Sequence, residues 1–283
     1  MPETTSALPE KKGNRRMVLL FFSSFALLLL VAVAVAGIAM PETAYAPRFS
    51  DKNLPPSLSH PFGTDWTGRD MFARTVKGLS TSILIGTLAS SISCVIAIVL
   101  GIAAATLGRT VDTLVSWMVD MMLGVPHAIL LILVSFALGK GTFGVLMAVA
   151  VTHWPSITRI VRAEVIQIRT RQYILASRKF GLSMFRVAKD HIVPQVTPQF
   201  VIAFILLFPH AIMHEASITF LGFGLPPEKP AIGVILSESM KYLSSEMWWL
   251  TIMPGISLIV VVLLFESIGE NLRTLFDPNR AQE

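Results

Sequence analysis

Two histidines and a glutamate, His210, His214 and Glu215, stand close together in the segment PHAIMHEAS (209–217). Residues four apart share one face of a helix, so imidazoles at this spacing can jointly hold Ni²⁺, Zn²⁺ or Cu²⁺. Glu215 is rotated about 100° from its neighbour. Three roles are open to the group: a transient metal relay in a translocation path, packing histidines bonded across helices, or a contact to a peptide carboxylate. Met213 could add a soft ligand, although its helical position points away from the pair. His127 and His153, near Pro126 and Pro155, read as satisfied interior polar groups. No metal ligand set is certain from these residues.

Other chemistries fit less well. A zinc protease helix places its glutamate directly after the first histidine, where it can act as base beside both ligands. Here it follows the second, so a membrane metalloprotease is only a remote alternative. The single cysteine, Cys94, excludes a disulfide framework and a multi-cysteine metal site. No phosphate-binding loop is present, since GKGTFG (139–144) has the wrong order and spacing. The chain is therefore not expected to hydrolyse ATP or to act as an enzyme.

The elements that must position these residues are membrane helices. The mean hydropathy of +0.66 and the 14% of charged residues exclude an ordinary soluble domain. A spanning helix needs about 20 apolar residues. Six runs qualify: Met17–Met40, Leu79–Gly108, Thr113–Gly139 (interrupted by Asp120 and Pro126), Gly141–Val161, Val196–Phe223 and Met247–Phe265. The first is longer than a signal-peptide core of about 7–15 residues and reads as a retained helix. Asp120 inside the third run is expected to pair with a basic group or a helix terminus. Small residues recur along the second run at Gly86, Ser90, Ser93, Ala97 and Gly101, and would allow close helix packing.

Lysine and arginine asymmetry sets the orientation. Lys11, Lys12, Arg15 and Arg16 precede the first run. Eight basic residues follow or end the fourth, from Arg159 and Arg162 through Arg169, Arg171, Arg178, Lys179, Arg186 and Lys189, against Glu164 and Asp190. Both termini and this loop are thus expected in the cytoplasm of a cell (inner or plasma) membrane. The net charge of +5 reflects these loops, and no nucleic-acid partner is expected. Residues 41–78 and 224–246 are expected as ordered extracytoplasmic loops, the second with a short helix around Gly233–Leu243.

The basic segment ILASRKFGLSMFRVAKDHIVPQ (174–195) has its own apolar positions and a glycine break at Gly181. Such a hinged helix pair suits docking in a partner's groove. It resembles the cytoplasmic loop of permease subunits of binding-protein-dependent ABC importers, in which E-A-A is followed by three residues, a glycine, nine residues and I-x-L-P. Here it reads Leu175-Ala176-Ser177, Gly181 and His191-Ile192-Val193-Pro194. The spacing is kept, while Leu175 replaces the glutamate and Ser177 the second alanine. HPFGTDWTGRDMFAR (60–74) is similar to the extracytoplasmic signature of the second permease of dipeptide, oligopeptide and nickel importers; His60, Pro61, Phe62, Gly63, Thr64, Asp65, Gly68, Arg69 and Asp70 carry it. EASITFLGFG (215–224), WWLTIMPG (248–255) and LRTLFDPNR (272–280) also fit that subfamily.

The resemblance implies an all-α polytopic membrane protein, a type I importer transmembrane domain with six transmembrane helices. It implies a second homologous permease, two cytoplasmic ATP-binding subunits, an extracytoplasmic substrate-binding protein and the lipid bilayer as partners. ATP and Mg²⁺ would be bound by the ATPases, with no cofactor on this chain. Leu175, Ala176, Ser177, Gly181, His191 and Pro194 would lie at the ATPase contact. The layout expected is a cytoplasmic tail (1–16), a first helix and loop (17–78), a five-helix core (79–273) with coupling loop 162–195, and a second tail (274–283). Nickel, another metal, a metal chelate, a dipeptide or an oligopeptide all remain open as cargo, and His210 and His214, where the similar family segments usually carry small or apolar residues, favour a metal or metal chelate. A stand-alone secondary transporter or channel is the alternative; such chains often carry inverted repeats, and none is evident here.

Overall fold

The structure, a computed structural model, describes residues 13–276. Lys11, Lys12, Arg280 and the rest of the terminal residues lie outside that range. Ten α-helices are found among the described residues: α1 Gly13–Ala39, α2 Met71–Thr106, α3 Arg109–Leu123, α4 His127–Ala137, α5 Gly141–Arg169, α6 Gln172–Lys179, α7 Met184–Val187, α8 Val193–Phe220, α9 Ile232–Ser239 and α10 Trp249–Phe276. The architecture is all-α; the sole extended pairing among them is a bridge between Thr64 and Asp70. Five helices are long and apolar enough to cross a membrane, and α3 with α4 passes the same test as a bent pair, which is a sixth span if the two are counted as one and a re-entrant loop otherwise.

α2 is the central post. Asp70 caps its start by accepting a hydrogen bond from the Ala73 amide at 2.8 Å. Gly86, Ser90, Ser93, Ala97 and Gly101 are all buried along it. A Cβ on Gly86 would meet Ile212 at 2.8 Å, and one on Gly101 would meet Val161 at 2.7 Å. The small side chains therefore let α8 and α5 approach the α2 backbone, as dispersion-driven packing in lipid requires. α1 lies outermost, against α2 and α10. Its exposed Phe21, Phe22 and Leu28 suit contact with lipid.

Several elements differ from the pattern of apolar runs: α2 starts at Met71, so residues 71–78, expected in the 41–78 loop, are helical, and α10 continues past Phe265 to Phe276. The third run is not one helix: α3 and α4 meet at 97°. Pro126 lacks an amide hydrogen and biases Val125 away from helical angles, while Gly124 ends α3, so the chain turns there. α5 in turn does not stop at Val161 but runs on to Arg169. Arg162, Glu164 and Arg169, expected in the following loop, are on the helix, and the loop proper begins at Thr170. Val161, Val165 and Ile168 continue the buried stripe at helical spacing. The arginines are compensated across the bundle. Arg159 pairs with Asp120, Arg162 with Asp112, and Arg169 donates to the Ala105 carbonyl. Asp120 thus has the basic partner expected of it.

Candidate functional site

Three places bring the sequence-derived residues together. The first is the connection between α5 and α8. Ile174 on α6, Val187 on α7 and Ile192 in the π-turn Ala188–Ile192 are fully buried against α2, α3 and α5. They hold the connection down on the bundle. Gly181 joins α6 to α7 at φ +84°, a left-handed angle that glycine adopts without strain. The outer side is the reverse of the anchors: Phe180 is 87% and Phe185 80% exposed, beside exposed Arg178, Lys179 and Arg186. Of the residues carrying the loop motif, Leu175, Ala176, Gly181 and Pro194 are exposed, while Ser177 and His191 are half-buried. Ser177 Oγ lies 3.4 Å from His191 Nε2, and Gln195 bonds the Tyr173 hydroxyl, so the two ends of the loop are clasped.

The second is the α1–α2 loop with its glycine- and aspartate-rich signature. Asp65 is 0% exposed and sits at the centre. It accepts hydrogen bonds from the Thr67 amide and hydroxyl at 2.8 and 2.7 Å, and from the Arg69 amide and Nε at 3.0 and 2.6 Å. Arg74 reaches Asp65 at 3.4 Å and Glu238 on α9 at 2.5 Å. Burial by itself would raise the Asp65 carboxyl. The hydrogen bonds from Thr67 and Arg69 and the Arg69 charge outweigh it and hold the group below the usual carboxylate range. His60 Nδ1 and Asp70 Oδ2 are 2.7 Å apart. Thr64 donates to the Asp51 carbonyl at 2.5 Å and accepts from the Leu54 amide at 2.8 Å, while Trp249 of α10 donates to the Thr64 carbonyl at 3.3 Å. Gly63 and Gly68 both have positive φ, and a Cβ on Gly68 would lie 1.7 Å from the Arg48 carbonyl oxygen. The signature is therefore a staple that fixes the loop to α9 and α10.

The third is intramembrane. The 97° break puts His127 at the first turn of α4, against His153 on α5 and His214 on α8. Ring centroids are 4.6 Å (127–153), 4.7 Å (127–214) and 5.1 Å (153–214) apart. One ligating nitrogen from each lies within 4.8 Å of the others. His210, one turn before His214, is exposed. Glu215 is fully buried and separate from the imidazoles: its Oε1 accepts a hydrogen bond from Thr219 at 3.0 Å. His214 thus joins His127 and His153 rather than Glu215. The expectation that His127 and His153 are satisfied polar groups does not hold either, since Nε2 of each is buried without a hydrogen-bond partner. Spacing along one helix cannot reveal a group drawn from three; the signal available was one histidine beside a proline in each of two neighbouring spans.

Apolar spans packed on a small-residue post, with a clasped helix pair projecting at one end, define a membrane-embedded, multi-pass permease. The chain belongs to the family described as binding-protein-dependent transport system inner membrane component, which it matches over residues 97–278. Membership implies ATPase and substrate-binding partners for a transport subunit. The chain is 31% identical to the dipeptide transport system permease protein DppC of Bacillus subtilis, over 90% of its length and 80% of the relative's. It is 33% identical to DppC of Alkalihalophilus pseudofirmus, over 96% and 88%. To the oligopeptide transport system permease protein OppC of Bacillus subtilis it is 31% identical, over 89% and 85%. Its fold is similar to a chain of the MetNI methionine ABC transporter solved in inward-facing conformations, at 19% identity and a TM-score of 0.56, covering 73% of this chain and 98% of that one.

Proposed function

We propose that this chain is one of two homologous permease subunits enclosing the path of a di- or oligopeptide importer. Two cytoplasmic ATP-binding subunits drive it, and an extracytoplasmic binding protein delivers the cargo. Within the peptide, nickel and metal-chelate range left open by the sequence, the relatives named for dipeptides and oligopeptides favour peptides. Both termini and the α5–α8 connection lie in the cytoplasm on this reading, which the Lys/Arg asymmetry supports.

The observation that carries the coupling role is the opposition of Ile174, Val187 and Ile192, buried in the bundle, to Phe180 and Phe185, exposed at the tip. Exposed aromatics beside arginines suit the anchor positions of a protein interface. The clasped loop acts as a rigid lever: closure of the ATPases moves its tip, and the buried anchors pass the movement to α2, α3 and α5. Leu175, Ala176, Ser177, Gly181, His191 and Pro194 belong to this contact or its support. ATP and Mg²⁺ reside on the partner subunits, and this chain binds no cofactor for the transport cycle.

Uptake of a radiolabelled dipeptide and tripeptide by cells with and without this gene tests the reading. Loss of uptake on deletion, restored by complementation, is expected. Undiminished uptake of both peptides in a strain lacking other peptide importers would overturn the cargo assignment.

A further inference from the structure

We infer that His127, His153 and His214 form a binding site for one divalent transition-metal ion, of the nitrogen-preferring kind exemplified by Zn²⁺, Ni²⁺, Co²⁺ and Cu²⁺. The site depends on these three side chains alone and stands whether or not the chain carries peptides.

Tautomer and burial point the same way. His153 Nδ1 lies 2.8 Å from the Val149 carbonyl oxygen. That oxygen can only accept, so Nδ1 carries the proton and Nε2 keeps its lone pair. Nε2 of His153 is buried without a hydrogen-bond partner, and so is Nε2 of His127. Buried polar atoms are nearly always paired, and two orphans in one cluster require an explanation. A backbone carbonyl holding the far nitrogen is also the usual way in which a metal-ligating imidazole is oriented.

The geometry needs only a small adjustment. Three nitrogens on one tetrahedral ion, each at about 2.0–2.1 Å, lie about 3.3 Å from one another. The present nitrogens are within 4.8 Å. The three side chains are half-buried, which leaves room for ring rotation and a way in for the ion. Three imidazoles leave one tetrahedral position open for water. No carboxylate oxygen belongs to the set, whose ligand atoms all come from His127, His153 and His214. Oxygen-seeking Mg²⁺ and Ca²⁺ are therefore disfavoured. A bound ion would tie α4 to α5 and α8.

The test uses the full-length chain, assembled with its partner subunits in lipid nanodiscs, stripped with chelator and titrated with Co²⁺ alone. One equivalent per copy of this chain is expected to bind saturably at low micromolar concentration, with the strong visible absorption of four-coordinate cobalt. Zn²⁺ should displace it. His153→Gln and His214→Gln, made separately, should each weaken binding by at least about 100-fold. Retention of the partner subunits on purification reports that each variant is folded. Stoichiometric binding that survives in both assembled variants would overturn the site, as would the absence of saturable binding to the wild-type complex, a result that needs no variant at all.

Discussion

Ser177 Oγ and His191 Nε2 stand 3.4 Å apart, joining the last turns of α6 to the π-turn that leads into α8. Between them the chain makes its glycine turn and presents Phe180 and Phe185 outward. A loop closed at its base and anchored by Ile174, Val187 and Ile192 transmits displacement better than a free one, because its tip cannot move without its anchors.

Replacing both tip aromatics is the simplest probe of the docking role. Phe180→Ser with Phe185→Ser should leave membrane insertion and thermal stability nearly unchanged, since exposed substitutions cost within about 0.5 kcal/mol. The ATP-binding subunits should be lost on affinity purification, because aromatic anchors contribute about 2 kcal/mol or more each. Retention of stoichiometric ATPase would show that the partner docks elsewhere.

The staple in the α1–α2 loop should be sensitive to breaking its buried charges. Arg74→Met leaves Asp65 in a dry site with fewer partners, and removing one member of a buried pair costs about 3–5 kcal/mol. A lower unfolding temperature and faster proteolysis within residues 41–70 are expected. Asp65 also gives this loop a pH dependence of known sign. Its folded pKa lies below the ordinary 3.8, so its contribution is fully present above that value and is lost as pH falls through the folded pKa. Protease resistance of the loop should be flat from roughly pH 5 to 8 and drop below about pH 4. A drop centred near neutrality would point to another group.

Two glycines with positive φ should respond differently to the same substitution. Gly68→Ala drives a Cβ to 1.7 Å from the Arg48 carbonyl oxygen, whereas Gly108→Ala meets nothing within 4 Å. The second should cost only the strain of its backbone, at φ +104° and ψ 176° in a region open essentially to glycine, about 1–3 kcal/mol. The first should cost clearly more and disorder the loop, as read by proteolysis and expression level. Equal effects would contradict the packing described for Arg48 and Gly68.

Orientation can be read with single cysteines, because the native Cys94 is fully buried and should remain silent. On the proposed topology, Leu58→Cys reacts with a membrane-impermeant maleimide in intact spheroplasts, and Phe180→Cys reacts only after lysis. The reverse order would invert the topology.

Much of this architecture was legible in the sequence. Apolar runs located α1, α2, α8 and α10 because lipid demands continuous apolar helices. The short helix expected around Gly233–Leu243 is α9 with a 3₁₀ turn at Met240–Tyr242. What was missed depends on partners distant in sequence. Arg162 and Arg169 read as loop charges, and only Asp112 and the Ala105 carbonyl, brought up by neighbouring helices, explain why they lie on α5. Pro126 announced an interruption, but not a 97° turn that delivers His127 to two other helices. Likewise the pair His210 and His214 is visible at helical spacing, while the company His214 keeps is not.

The central claim is that the α5–α8 connection transmits ATP-driven movement to a peptide path, and Gly181 is where it is most directly exposed. Proline is confined to φ near −65°, against +84° at Gly181. The measurement is dipeptide uptake alongside ATP hydrolysis by the complex reconstituted in proteoliposomes, wild type against Gly181→Pro. The account predicts assembled subunits and continuing ATP hydrolysis, with uptake reduced at least tenfold. Undiminished uptake by an assembled Gly181→Pro complex would contradict it.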